Sequence, residues 1–275
     1  MADQITGDSE VSAVKMTLIA AMVQQELKAA ARMLPTVRDV SSFAEPGLDT
    51  ISFPKSTSFS VEKKLSGQKA SAQALTYTTD DLSLNQEAVV QWLIEKKQSK
   101  QSRVNLEIDA AARAASAHGR QVDTDLISAI NAGRKSANDV TFSSALTLAN
   151  IVAMRKALNV EFWPEADRTL ALHPAQEEDM LNISNFIKAN EYGSRQALLQ
   201  GEIGQIFGTR VVVSALLTED ECFMYHRDSC AIGFQSSLDF DQQKDLENMG
   251  QRYSLDQLYG IKVLQSGSGI VKCVA

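Results

Sequence analysis

The stretch QGEIGQIFGTR, residues 200 to 210, sets Gly201, Gly204 and Gly208 close together. Glycine-rich loops cradle phosphates because bare backbone amides can approach an anion closely, so a nucleotide site is the first chemistry to test. The spacing is G-x2-G-x3-G, which is neither a P-loop nor a dinucleotide fingerprint, and no lysine follows to meet a phosphate. These glycines also precede the β-branched run TRVVVS instead of leading from a strand into a helix. The triplet His226-Arg227-Asp228 copies the start of a kinase catalytic loop, but the lysine, DFG and asparagine partners of that loop are missing. There is no G-x-S-x-G for a serine hydrolase and no H-E-x-x-H for a zinc hydrolase. His118 falls in a long helical pattern and His173 stands before Pro174 at a strand end, where packed, capping or exposed histidines are ordinary. The acidic groups Glu177-Glu178-Asp179, Glu219-Asp220-Glu221 and Asp239/Asp241 lack the calcium-loop pattern and read as helix starts or solvated faces. Cys222, Cys230 and Cys273 have no C-x2-C spacing and read as reduced thiols. The expectation is therefore no catalytic residue, no cofactor-binding residue and no metal ligand set.

Composition agrees with a scaffold more than with a chemical site. The 275 residues are 44% hydrophobic and 22% charged, enough apolar material for a substantial core. The net charge of −7 argues against a protein that grips a nucleic-acid backbone tightly. The apolar run MTLIAAMV (16–23) follows Asp3, Asp8 and Glu10, where an export signal needs positive charge, and it is too short to span a bilayer. A soluble chain with no membrane partner is expected.

The elements that must carry any function are uneven in kind. Residues 11–34 read as an amphipathic helix ended by Pro35, with an apolar face that needs a partner. Residues 49–84 read as two strand-like limbs, DTISFPKSTSFSV and LTYTTDDLSL, joined by the polar tip EKKLSGQKASAQA. Such a hairpin has too few large apolar residues to be stable alone. LNQEAVVQWLIEKKQ (84–98) fits strand or helix. Val104, Ile108, Ala111, Ala115, Val122, Leu126 and Ile130 then form one helical stripe. The spacing predicts a helix from about residue 99 to 131, roughly 50 Å long, with a weak point at His118-Gly119. Beyond a polar boundary at 131–144 come a helix in SALTLANIVAMRKALN, a strand in RTLALHP, a helix in EEDMLNISNFIKAN and a strand in TRVVVSALL. The tail predicts a strand near Cys230 and a final strand pair around a Gly-Ser turn.

This order of parts resembles the major capsid proteins of tailed bacteriophages, with the α+β Hong Kong-97-type capsid fold. ARAASAHGRQVDTDLISAI (112–130) looks like the family's spine helix, with Asp123, Asp125, Leu126 and Ile127 at its characteristic end. ADRTLALHP and the following segment to TRVVVS are similar to the family's axial domain, at Arg168, Pro174, Gly201, Ile203, Gly204, Ile206, Gly208 and Ser214. The resemblance implies an N-terminal arm over residues 1–47, an extended hairpin loop over 48–83 and a peripheral domain with its spine helix over 84–142. It further implies an axial domain over 143–228 and return strands of the peripheral domain over 229–275. The implied function is self-assembly as pentamers and hexamers into an icosahedral shell around the double-stranded DNA of a tailed phage. Implied partners are other copies of the chain, a separate scaffolding protein, a portal protein and loosely held DNA. The implied location is the virion, reached through assembly in the host cytoplasm. Some relatives join a loop lysine to an asparagine, but Lys63, Lys64 and Lys69 at the hairpin tip read as solubilising, and no crosslink is expected. An encapsulin-like bacterial nanocompartment shell is the alternative within the same fold, and a nucleotide-using enzyme is the alternative outside it.

Overall fold

The computed structural model describes residues 31–56, 59–67, 69, 71–102, 105–142, 145–181, 205–236 and 238–274. The amphipathic stretch read from residue 11 lies outside the described residues up to position 30. So do most of the segment after Leu181, Gly201 and Gly204. The described end of that first stretch is not α-helical; Leu34–Thr36 form a 3-10 turn with Pro35 at its start.

In chain order the elements are β1 (Arg38–Asp39), β2 (Thr50–Ser56), β3 (Tyr77–Ser83), β4 (Gln86–Glu95), α1 (Lys96–Gln101), α2 (Leu106–Gly133) and β5 (Val140–Thr141). They continue with α3 (Leu148–Val160), β6 (Arg168–Leu172), α4 (Pro174–Leu181), β7 (Gln205–Ile206), β8 (Thr209–Val213) and β9 (Glu221–His226). Last come β10 (Cys230–Phe234), β11 (Asp239–Asp245), β12 (Gly250–Val263) and β13 (Ile270–Val274). The strands form a six-stranded sheet in the order β5-β13-β9-β6-β8-β7, a five-stranded sheet built on β12, and the isolated β2–β3 hairpin.

The long helix begins later than its apolar stripe predicts. The stretch around 84–98 is a strand, β4, followed by the short α1, which ends at Gln101 with Ser102 extended; α2 opens from Asn105. There the Asn105 side chain accepts the Glu107 N–H at 3.2 Å, and Glu107 and Asp109 place negative charge in the first turn of α2. A stripe of apolar residues cannot reveal such a cap, because Asn105 is polar and the residues of α1 are all polar too. The remaining 28 residues span about 42 Å and run through Gly119 without interruption.

α2 lies across both large sheets. Its first half puts Ala111, Ala114 and Ala115 against Leu238 and Leu255, with Val90, Trp92 and Phe240 packed alongside. Small alanines let the sheet approach closely, and Trp92, Phe240 and Tyr253 stack beside them with ring centroids 5.6–6.0 Å apart. Its second half puts Val122, Leu126 and Ile130 against Ala171, Phe223, Tyr225 and Ile270 of the six-stranded sheet. The opposite face of that sheet carries Leu170, Leu172, Cys222, Met224, Val271 and Cys273, which pack on Ile151, Met154 and Leu158 of α3. Alternation along β6, β9 and β13 thus fills two cores at once. α3 starts from a reciprocal cap in which the Thr147 N–H donates to Asn150 Oδ1 and the Asn150 N–H donates to Thr147 Oγ1.

β12 is the shared strand of the second sheet. Gly250–Tyr259 pair with β4, Gly250–Asp256 with β11 and Tyr259–Val263 with β10, all antiparallel. The final two strands do not pair with each other, contrary to the sequence expectation. After the turn at Gln265–Gly267, β13 leaves for the six-stranded sheet and pairs with β9 and β5. At that turn Gly267 adopts φ +70, and a Cβ there would meet the Gly133 carbonyl oxygen at 2.0 Å.

Candidate assembly surfaces

The residues with chemical potential are put to structural use. His118 is buried in α2 with Nε2 3.1 Å from the Leu255 carbonyl oxygen, and burial pushes its pKa below the ordinary histidine value. His173 Nδ1 accepts the Ala175 N–H at 3.2 Å at the start of α4. His226 Nδ1 accepts the Asp228 N–H at 3.1 Å, and its ring packs 5.1 Å from that of Trp163. The His-Arg-Asp triplet is therefore the 3-10 turn between β9 and β10. Gly208 and Phe207 form the tight turn between β7 and β8, both with positive φ (74 and 49), as a type I′ hairpin requires. The acidic groups are dispersed. Asp179 accepts the Leu146 N–H, Glu221 pairs with Lys272 at 2.6 Å, and Asp239 faces Asp256 across β11 and β12. Among the described residues no three His, Cys, Asp or Glu side chains converge as a metal site would need.

Two buried polar groups brace the frame. Arg168 donates from Nε to the Pro164 carbonyl, and from Nη2 to Asn159 Oδ1 and the Trp163 carbonyl, each at 2.7 Å. It fastens the end of α3 to the start of β6, and burial lowers its pKa against the opposing pull of the nearby Glu165 carboxylate. Asp123, also buried, accepts the Arg32 N–H at 2.8 Å and the Met33 N–H at 3.2 Å. It satisfies the amides that precede the Leu34–Thr36 turn from a helix ninety positions away, and burial raises its pKa. Thr36 Oγ1 then meets the Tyr225 hydroxyl at 2.5 Å. Single-sequence reading placed Asp123 in the family's helix end but could not show this role, since its partners are backbone amides with no sequence signature.

The exposed surface carries uncovered apolar side chains. The hairpin pairs from Thr50↔Ser83 to Ser56↔Tyr77, shorter than its predicted limbs. Its base is held by Ile51, Leu82 and Leu84 against Val40, Ala231 and Leu264, and by Gln265 N–H donating to Asp80 at 2.9 Å. Beyond that base Phe59, Val61, Leu65 and Tyr77 are all more than 60% exposed. Lys63, Lys64 and Lys69 are exposed at the same tip. A second apolar patch lies at the far end of α3, where Val160, Phe162 and Phe207 line an open groove of about 730 Å³ beside Arg155 and Lys156. Phe162, at φ 60, is 93% exposed. A side chain that large, turned outward on a strained backbone, does nothing for a solitary subunit.

A spine helix braced across two sheets, with an outlying hairpin and uncovered apolar tips, defines a capsid shell protein of the Hong Kong-97-like fold. The model of the phage capsid protein family matches residues 20–268, and the chain belongs to that family, as a structural protein of the bacteriophage icosahedral capsid. Solved structures with the same fold include one from Mycobacterium phage Che8, with TM-score 0.74 and 21% identity over 88% of this chain and 90% of that one. The capsid structure of the cyanophage P-SCSP1u matches at TM-score 0.69 and 13% identity, over 87% and 85% of the two chains. A virus-like particle from Pyrococcus furiosus matches at 0.61 and 8%, over 94% and 98%. No curated protein sequence matches the chain. Among the described residues no helix is long and apolar enough to cross a membrane.

Proposed function

We propose that copies of this protein assemble as pentamers and hexamers and close an icosahedral shell around the double-stranded DNA of a tailed phage. The observation that carries this reading is the hairpin beyond Ser56 and Tyr77, whose large apolar side chains find no cover among the described residues of their own chain. A neighbouring copy supplies that cover, and many small contacts of this kind become collectively strong in a closed assembly. In this scheme residues 1–47 form an arm and 48–83 the extended loop. Residues 84–142 and 229–275 build the peripheral domain, and 143–228 the axial domain. A net charge of −7 suits a container that holds its DNA loosely. Assembly takes place in the host cytoplasm with a separate scaffolding protein and a portal protein, and the protein performs no catalysis.

The cargo-compartment reading draws on the likeness to the Pyrococcus furiosus particle. The phage capsid family match across residues 20–268 favours the genome container. Expression of the full chain with and without its scaffolding protein, followed by light scattering and negative-stain microscopy, tests the proposal. Closed shells or ring-shaped capsomers are expected. A stable monomer under both conditions would sink it.

A further inference from the structure

We propose that Cys222 and Cys273 are a latent redox site that closes into a reversible cross-strand disulfide when the protein meets a peroxide. The two residues are directly opposed in the register of β9 and β13, and both thiols are fully buried in the core beneath α3. The kind of pairing they occupy follows from their neighbours. The His226 N–H donates to the Gly269 carbonyl at 3.1 Å, which makes 226 and 269 a hydrogen-bonded pair. Antiparallel pairs alternate, so Met224 with Val271 and Cys222 with Cys273 are hydrogen-bonded pairs too. Glu221 agrees with this count, because its N–H turns away from Val274 to the Thr218 carbonyl.

Opposed residues in such a pair have Cα atoms about 5.5 Å apart, within the range a disulfide spans. Their Cβ atoms must approach by about 1 Å for the bond to form, so the disulfide is strained and easily reduced. The thiols already act on each other: their contact raises the Cys222 thiol well above its ordinary value and lowers that of Cys273. Whichever of the two ionises is the attacking sulfur, and the product is the same. Cys230 belongs to the other core, across the sheet, where burial alone pushes its thiol up to about 12, and it takes no part.

The reaction balances with hydrogen peroxide as oxidant. The thiolate of one cysteine of the pair attacks one peroxide oxygen, the O–O bond breaks, and hydroxide leaves to become water, giving a sulfenic acid. The other cysteine's sulfur then attacks that sulfur, the S–O bond breaks, and a second water departs with the remaining thiol proton. Two thiols lose two electrons, which the peroxide gains. α3 and Phe142 and Leu146 cover the pair, so local opening of that cover sets the rate. Under the shell reading, on which this link rests, the chain assembles among reducing thiols and the finished particle leaves them. The staple would then join β13 to β9 after assembly. The chemistry at the pair does not depend on that reading.

The test uses the reduced full-length protein, treated with hydrogen peroxide under native conditions, then denatured in N-ethylmaleimide and mapped by mass spectrometry. The expected product is a single intramolecular Cys222–Cys273 link, lighter by two hydrogen atoms, and reversed by millimolar dithiothreitol. Cys230→Ser should form the same link and Cys273→Ser should not. Full alkylation of all three cysteines after exposure, a link between chains, or sulfinic acid without a disulfide would each overturn the proposal. Shell formation does not enter the readout, so failure here is distinct from failure of the assembly reading.

Discussion

The β2–β3 hairpin and the helix α2 are both elongated, yet they meet the demand for burial in opposite ways. α2 buries Ala111, Ala114, Ala115, Val122, Leu126 and Ile130 along its length, and every one has a partner within the chain. In the hairpin strands only Ile51 and Leu82 are buried, both at the root. One element organises the subunit; the other reaches out of it. The first is stabilised within its own chain; in the proposed shell the second would gain its burial from a neighbouring copy.

The largest effect expected is on the first element. Leu126 is fully buried where α2 meets the six-stranded sheet. Leu126→Ala should cost about 2–5 kcal/mol, from lost burial and the cavity left behind. Urea unfolding of the unassembled subunit measures it. A loss below about 1 kcal/mol would mean that the helix is not the frame described above.

Next comes the joint between the two regions. A Cβ at Gly260 of β12 would lie 2.2 Å from the Ser83 carbonyl oxygen at the hairpin root. Gly260→Ala must therefore push backbone aside, at a cost of about 1–3 kcal/mol, typical of overpacking. The strain should appear locally. Amide exchange across Thr50–Ser83 should quicken while α2 stays protected, which hydrogen-exchange mass spectrometry resolves.

How much of this was legible in the sequence follows the same division. The spine helix, the β6 and β8 strands and the hairpin root were readable because one periodicity, 3.6 or 2, governed each. The start of α2 was not, because the polar run Lys96–Gln101 carries no apolar period of its own and the Asn105 cap that opens α2 has no apolar signature. The parting of β12 and β13 was hidden for another reason. A Gly-Ser turn between two strands looks like a hairpin, and only tertiary contacts send β13 to β9. Gly208 was rightly read as a turn. Asp123 and Arg168 show the limit of single-sequence reading, since each serves backbone groups that carry no identity.

A smaller effect separates the helix from its surroundings by pH. Burial lowers the pKa of His118 in the folded state, whereas the unfolded chain titrates near 6.5. The unfolded state therefore binds more protons, and the stability contributed is full above about pH 6.5 and falls as pH drops toward the folded value. His226 is lowered by burial as well and adds a slope of the same sign. His118→Gln should flatten, without abolishing, the decline of thermal stability between about pH 7 and 5. An unchanged slope would show that His118 takes up its proton equally well in the folded and the unfolded chain.

The smallest effect on the subunit should be the most informative for the comparison. Phe59 and Tyr77 are 62% and 66% exposed, so Phe59→Ser and Tyr77→Ser remove little that the monomer has buried. Each should change unassembled stability by no more than about 0.5 kcal/mol, as surface substitutions do. If the hairpin gains its partners only from a neighbouring copy, the same two variants should reduce the yield of closed particles sharply, with free subunit accumulating in light scattering. The contrast with Leu126→Ala is then complete: one substitution weakens the monomer, while the others spare it and disable association. Normal particle yield from the double variant would show that the hairpin's exposed side chains are not contact residues. The groove at Val160, Phe162 and Phe207 would then be the next apolar surface to test as the interface.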